Sequence, residues 1–242
     1  MLSLIIPAYN ESTRILPTLA AVLDYLRAQY PDFELIVVDD GSRDDTAAVV
    51  TRALADEPRA RLLSYQPNRG KGYALRQGVL ASRGAQVVFT DADLSTPIEE
   101  LPPALERLQT AHIVIGSRGL RTAHIRVRPP LYRRLASRIF DFIKHMVVGL
   151  WEFKDTQCGF KAYRGEVARQ LYARGQIDRF MFDVEILYLA ERAGLKIIEM
   201  PVHWADAPGS KVRFWEGVVN MLRDLWRIRR IHRRVEIRGW EN

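Results

Sequence analysis

Short apolar runs recur through the first half of this chain, and each is followed by a stretch with helical spacing. Residues 2–6, 33–38, 61–65, 85–90 and 113–115 are too short and too continuously apolar for surface helices, so they are predicted as strands. Between them, residues 13–29 place Leu16, Leu19, Val22, Leu23 and Leu26 on one helical side. Asp44 or Asp45 can cap a second helix running to about residue 55, and residues 72–82 read as a third. Pro97 suits the start of a fourth, with Glu99 and Glu100 in its first turn. This rhythm predicts an α/β fold: a mostly parallel, Rossmann-like sheet flanked by helices on both faces.

In such sheets ligands bind beyond the carboxyl ends of the strands. Three polar, acid-bearing loops fall there: Pro7-Ala8-Tyr9-Asn10-Glu11, Asp39-Asp40-Gly41-Ser42 and Asp91-Ala92-Asp93. Two carboxylates one residue apart at a strand end are hard oxygen donors, suited to Mg²⁺ or Mn²⁺ shared with substrate phosphates. Tyr9 can border a base and Glu11 can hydrogen-bond a ribose or base. The plainer reading of that loop is a strand-to-helix turn capped by Asn10 or Ser12. One acid of Asp39 and Asp40 can receive a ribose hydroxyl or base N–H; both can also be simple loop caps. Asn68-Arg69-Gly70-Lys71-Gly72 is a basic turn opening a helix, whose backbone N–H groups and Lys71 can meet phosphate. No glycine-rich dinucleotide fingerprint follows the first strand, and no P-loop signature occurs.

After Gly116 the rhythm changes. Residues 118–130 read as a mobile basic loop and 131–148 as helix. Residues 155–163 return toward the sheet, 182–193 are helical, 195–204 extended, and 207–210 a turn. A last amphipathic helix spans about 212–230, with Phe214, Trp215, Val218, Val219, Leu222, Leu225 and Trp226 on one side. That side can pack on the core or lie in a membrane interface. The organisation expected is a catalytic domain over 1–211 and a basic helix and tail over 212–242.

The formal net charge is +7 among 242 residues, and the excess is uneven. Residues 118–138 hold seven arginines and no acid, and residues 227–234 hold five more. Such blocks suit an anionic partner, or form solvated faces. Nucleic acid is not the expected partner, since no recognised module or aromatic stacking strip occurs and the acidic sheet edge would repel a polyanion. The only cysteine, Cys158, excludes an internal disulfide. Residues 1–7 read as a strand rather than a signal peptide, and no apolar stretch reaches the roughly 18 residues of a membrane span. Residues 140–151 come nearest but are broken by Asp141, Lys144 and His145. The expected location is peripheral, at the cytoplasmic face of a membrane.

The five motifs Pro7 to Glu11, Asp39 to Ser42, Gly70 to Gly72, Asp91-Ala92-Asp93-Leu94 and Gly116-Ser117-Arg118 stand in the order found in family 2 glycosyltransferases of the GT-A fold, which this chain resembles over about residues 2–212. The run Asp155-Thr156-Gln157-Cys158-Gly159-Phe160-Lys161, then Ser210-Lys211, narrows the resemblance to the polyprenyl-phosphate type, similar to dolichyl-phosphate β-glucosyltransferases and mannose synthases. That resemblance implies a nucleotide-sugar donor, a divalent metal and a lipid-phosphate acceptor. Pro7, Tyr9, Glu11, Asp39, Lys71, Asp91 and Ala92 would border the nucleotide sugar, with Asp91 and Asp93 at the metal. Ser95 stands where mannose synthases often carry a metal-binding Gln. Arg118, Arg133 and Ser137 would hold the acceptor phosphate; Arg133 and Ser137 share a helix face by their spacing. Asp155 and Gln157 would line the sugar pocket or orient the acceptor, and Lys211 would close over the donor diphosphate. The donor expected is UDP-glucose, with GDP-mannose as the alternative; a family 2 enzyme with a non-lipid acceptor is a further alternative.

Overall fold

The computed structural model describes residues 1–125, 141–205 and 214–233, with the backbone alone at 214–219. A seven-stranded sheet crosses the molecule in the order β3-β2-β1-β4-β7-β5-β8. Its strands are β1 (Leu2–Ala8), β2 (Phe33–Asp39), β3 (Ala60–Ser64), β4 (Gln86–Thr90), β5 (Ile113–Ser117), β7 (Phe160–Arg164) and β8 (Ile197–Pro201). Every neighbouring pair is parallel except the two made by β7, which runs against both β4 and β5. β1 and β2 are buried along their whole length, which is why they read as unbroken apolar runs rather than alternating ones.

Helices cover both faces. On one lie α1 (Ile15–Gln29), α2 (Thr46–Ala53) and α4 (Leu101–Leu108), packing Ile15, Leu19, Val22, Leu26, Val50 and Leu105 against Leu4, Ile6, Leu35 and Val37. On the other lie α3 (Lys71–Ala81), α5 (residues 141–148), α6 (Gly165–Arg174), α7 (Phe182–Arg192) and α8 (Phe214–His232), against Ile5, Ile36, Val38 and Phe89. A two-stranded parallel ribbon, β6 (His124–Ile125) with β9 (His203–Trp204), continues past the ends of β5 and β8.

The expected α/β architecture holds, with boundary shifts that have local causes. The fourth helix does not open at Pro97. Pro102 and Pro103 have no N–H to return to carbonyls one turn back, so Ile98–Glu100 forms a 3-10 turn and α4 begins at Leu101 with the prolines in its first turn. α6 escapes the sequence reading, although Val167, Ala168, Leu171 and Tyr172 bury one side of it. The basic stretch after Arg118 is not loop throughout, since it contains β6. The 207–210 turn and most of residues 118–140 lie outside the described residues.

The sheet order places β1 beside β4, so the chain's winding reverses between them. That is the crevice where ligands collect in doubly wound folds. The loops after β1, β2 and β4 all open there. Because β7 is antiparallel, its beginning, at Gln157 to Phe160, arrives at the same edge.

Candidate active site

The loops after β1 and β2 are locked to each other. Asn10 N–H donates to Ser42 Oγ at 2.9 Å, and Ser42 passes its hydroxyl proton toward Asp39 Oδ1. Ser64 Oγ donates to Asp39 Oδ2 at 2.9 Å. Asp39 is 1 % exposed, and its carboxylate is fixed by these hydroxyls. Glu11 N–H donates to Thr46 Oγ1 at 2.8 Å, and its carboxylate grips Arg14 through Nη2 at 2.7 Å and Nε at 2.8 Å. Arg14, which the sequence reading left unremarked, feels Asp93 as well as Glu11, and both raise its pKa further. Asp44 accepts from Ser12 and Thr46; although burial opposes it, those bonds hold its pKa at about 2. Pro7 lies buried within β1 and Tyr9 is half-exposed at its mouth.

The basic turn before α3 behaves differently from expectation. Arg69 and Gly70 N–H groups both donate to Asp40, at 2.8 Å each, and Asn68 Nδ2 and Tyr65 Oη add bonds at 2.7 and 2.8 Å. Those two backbone N–H groups are therefore satisfied by the protein's own carboxylate and are not donors for a phosphate. Gly70 has φ of +112°, and a Cβ there would sit 2.5 Å from Asp178 O, so glycine is what lets α3 start against residues 177–182. Lys71, set between two glycines, reaches across to Asp91 Oδ1 at 2.5 Å. Enclosure lowers its pKa, but Asp91, Asp183 and Asp93 together outweigh that and raise it, so Lys71 is a held cation.

The Asp91-Ala92-Asp93 loop is fixed from behind by Thr18 Oγ1, which donates to Ala92 O at 2.7 Å. Ser95 donates to Asp93 Oδ1 through both N–H, at 3.0 Å, and Oγ, at 2.8 Å. Ser95 thus orients Asp93. Bonds from described residues fall on Oδ1 of both aspartates. Among the described residues no three His, Cys, Asp or Glu side chains converge as a cage. A pair of half-exposed carboxylates on one loop fits a cation that completes its shell with water and donor phosphate, as Mg²⁺ does.

Across the crevice, Asp155 takes Arg118 in a bidentate pair, Nε to Oδ2 at 2.6 Å and Nη2 to Oδ1 at 3.0 Å. Arg118 and Gln157 N–H groups donate to the same carboxylate, at 3.0 and 3.1 Å, and Asp155 N–H is held by Glu199 Oε1 at 2.8 Å. Burial would raise Asp155, but the charge and hydrogen bonds of Arg118 prevail and hold its pKa at about 2. The Arg118 guanidinium lies 5.4 Å over the Trp204 ring. Asp155 thus reaches the crevice through Arg118, whose fork retains further donors for an anion.

Gly159 joins the two halves, because a Cβ on it would overlap the Asp91 carboxylate. Beneath it Lys161, fully buried, donates to Cys158 O at 2.7 Å and to Asp183 Oδ1 at 2.6 Å. Burial raises the Cys158 thiol to about 11, which makes it an unreactive packing group. Lys161, Asp183 and Arg14 were not among the expected site residues, and Asp40, read as the alternative to Asp39 for a ribose or base, is instead taken up by the turn at 68–70. Arg133, Ser137 and Lys211 lie outside the described residues.

The glycosyl transferase family 2 model matches residues 3–172. The chain is 39 % identical over 236 residues to a dolichyl-phosphate β-glucosyltransferase of Trichomonas vaginalis, covering 93 % of this chain and 69 % of that one. It is 35 % identical over 243 residues to the Homo sapiens dolichyl-phosphate β-glucosyltransferase, covering 94 % and 74 %. Among solved structures, glucosyl-3-phosphoglycerate synthase of Mycobacterium tuberculosis, in complex with Mn²⁺, UDP and glucosyl-3-phosphoglycerate, superposes with a TM-score of 0.66 at 22 % identity, covering 99 % of this chain and 81 % of that one. That likeness establishes the shared fold.

Proposed function

Since this chain belongs to glycosyl transferase family 2 and is a glycosyltransferase, we propose that it moves glucose from UDP-glucose to a dolichyl- or related polyprenyl phosphate, with inversion. The observation that carries the reading is the division of one sheet edge into an acidic half, Asp91 and Asp93 with Lys71, and a cationic half, Arg118 braced by Asp155. The choice of glucose and of a lipid phosphate rests on the similarity to dolichyl-phosphate β-glucosyltransferases.

In this reading Pro7, Tyr9, Glu11 and Asp39 border the nucleoside, and Ala92 is the short residue that lets the donor lie along its loop. Asp91 and Asp93 hold Mg²⁺ or Mn²⁺, which when bound supplies positive charge to the leaving diphosphate. Lys71 adds a fixed cation beside Asp91, and Lys211 is the residue we assign to closing over the diphosphate. Arg118, with Arg133 and Ser137, binds the acceptor phosphate. Asp155 keeps the Arg118 fork oriented, and Gln157 lines the sugar side. A phosphate monoester is already largely ionised near neutral pH, its second pKa being about 6. Its oxygen therefore attacks the anomeric carbon without needing a strong general base, the C1–O bond to the diphosphate breaks, and the electron pair leaves with it. Orientation between the two halves does the remaining work. A lipid-borne acceptor puts the enzyme at an anionic membrane surface as a peripheral protein; among the described residues no helix is long and apolar enough to cross a membrane.

The test is a transfer assay with polyprenyl phosphate and Mg²⁺ or Mn²⁺, offering labelled UDP-glucose and GDP-mannose separately. Label is expected in the lipid phase from UDP-glucose only, and Asp93→Ala should lower turnover by a factor on the order of a hundred or more. Label from GDP-mannose alone would replace the donor assignment. A water-soluble product would replace the acceptor assignment.

A further inference from the structure

Residues 140–151 read in sequence as an apolar run spoiled by charge. The fold removes that charge from view. Lys144 is buried, its Nζ bonded to Asp141 Oδ1 and Thr156 Oγ1 at 3.0 Å each. Val147 and Val148 point into the core. What α5 turns outward is Phe142 and Met146, one helical turn apart, and beside them Trp151; these are 59, 60 and 57 % exposed. Phe142 meets the Trp151 ring edge-on at 6.3 Å, and His145 stacks on it at 4.9 Å. Phe142 and Trp151 thus form one cluster through their ring contact, with Met146 one helical turn along from Phe142, and all three stay more than half exposed.

α8 adjoins α5. Its inner side is anchored: Leu225 and Ile228 are fully buried, and His232 Nε2 pairs with the buried Glu185 at 2.7 Å. The apolar side read from sequence therefore packs on the core where it is described, apart from Trp226. The outer side carries Arg223, Trp226, Arg227, Arg230 and Arg233 at helical spacing, and Trp226 is 63 % exposed. The two helices meet where Arg229 Nη1 donates to Val147 O at 3.2 Å. The acids nearby are Asp141, paired with Lys144, half-buried Asp224, and exposed Glu152, whose charge adds to burial in raising the pKa of Glu191 on α7.

We propose that Phe142, Met146, Trp151 and Trp226, with the arginine row of the adjoining α8, form a docking surface for a bilayer carrying anionic headgroups. Aromatic and sulfur side chains insert at headgroup depth, while arginines reach phosphates around them. A second copy of the chain fits poorly, since a self-complementary contact would bring the same arginine row against itself. A soluble anion has no use for the apolar cluster. The inference rests on the lipid-acceptor reading for its purpose, but its evidence is this surface alone.

The test uses the full chain and vesicles of phosphatidylcholine with and without phosphatidylglycerol, in the absence of donor. Wild type should co-sediment with the anionic vesicles, with a blue shift in tryptophan fluorescence. The exposed triple variant Phe142→Ser, Met146→Ser, Trp151→Ser should lose about tenfold or more in partitioning at an unchanged melting temperature. Arg227→Ser with Arg230→Ser should lose most of the preference for anionic lipid. Both should transfer sugar to a short, water-soluble prenyl phosphate as well as wild type does. Variants that bind vesicles like wild type would overturn the proposal, as would a cluster whose loss only dissolves a dimer. Vesicle binding without transfer would sink the catalytic reading and leave the surface standing; transfer without vesicle binding would do the reverse.

Discussion

Gly159 has no side chain, and the Asp91 carboxylate occupies the space one would fill. Gly159→Ala should therefore push Asp91 from its place beside Lys71 without disturbing β7, which begins one residue later. The expectation is a fall in kcat/KM of about a hundredfold, the scale on which a displacement of roughly 1 Å acts, with the melting temperature little changed. A second expectation belongs to Asp155. Its folded pKa lies below that of the free side chain, so the Arg118 pair stabilises the fold at pH values above about 4. That contribution is lost as pH falls through about 2. It amounts to about 1–2 kcal/mol after allowance for the partly exposed Arg118. Urea midpoints measured from about pH 5 down to about pH 2 should converge for wild type and Asp155→Asn. The spacing of Asp91 and Asp93 was legible in the sequence because both sit on one strand end. The partners were not: Lys71 finds Asp91, and Asp40 finds Arg69 and Gly70, across 20 to 30 positions that only the sheet brings together.

At the level of single elements, periodicity found most of the strands and the long helices, because burial imposes it. It failed where covalent chemistry or short length intervened. Pro102 and Pro103 delayed α4, and α6 spans only ten residues. The sequence pattern of α8 was right about two faces and left open whether the apolar one packs on the core or lies in a membrane interface. Leu225 settles that for the described part, and Leu225→Ala should cost about 2–5 kcal/mol, as truncation of a buried leucine does. A chain in which the last helix merely rested outside the fold would show almost no change in its urea midpoint, which is the measurement that separates the two.

Across the whole molecule, the antiparallel strand is what sequence rhythm could not supply. β7 enters from the other direction, and by doing so delivers Asp155, Gln157 and Gly159 to the edge already furnished by β1, β2 and β4. The two halves of that edge therefore come from two stretches of chain that fold against each other, one before Gly116 and one after it. Charge follows the same partition: the acids gather in the first stretch's loops, and the arginine blocks in the second. With Asp40 accepting the N–H groups of the turn at 68–70, that turn is shaped by the protein's own carboxylate. A donor bound as we propose would meet a preformed wall there rather than one it must shape itself.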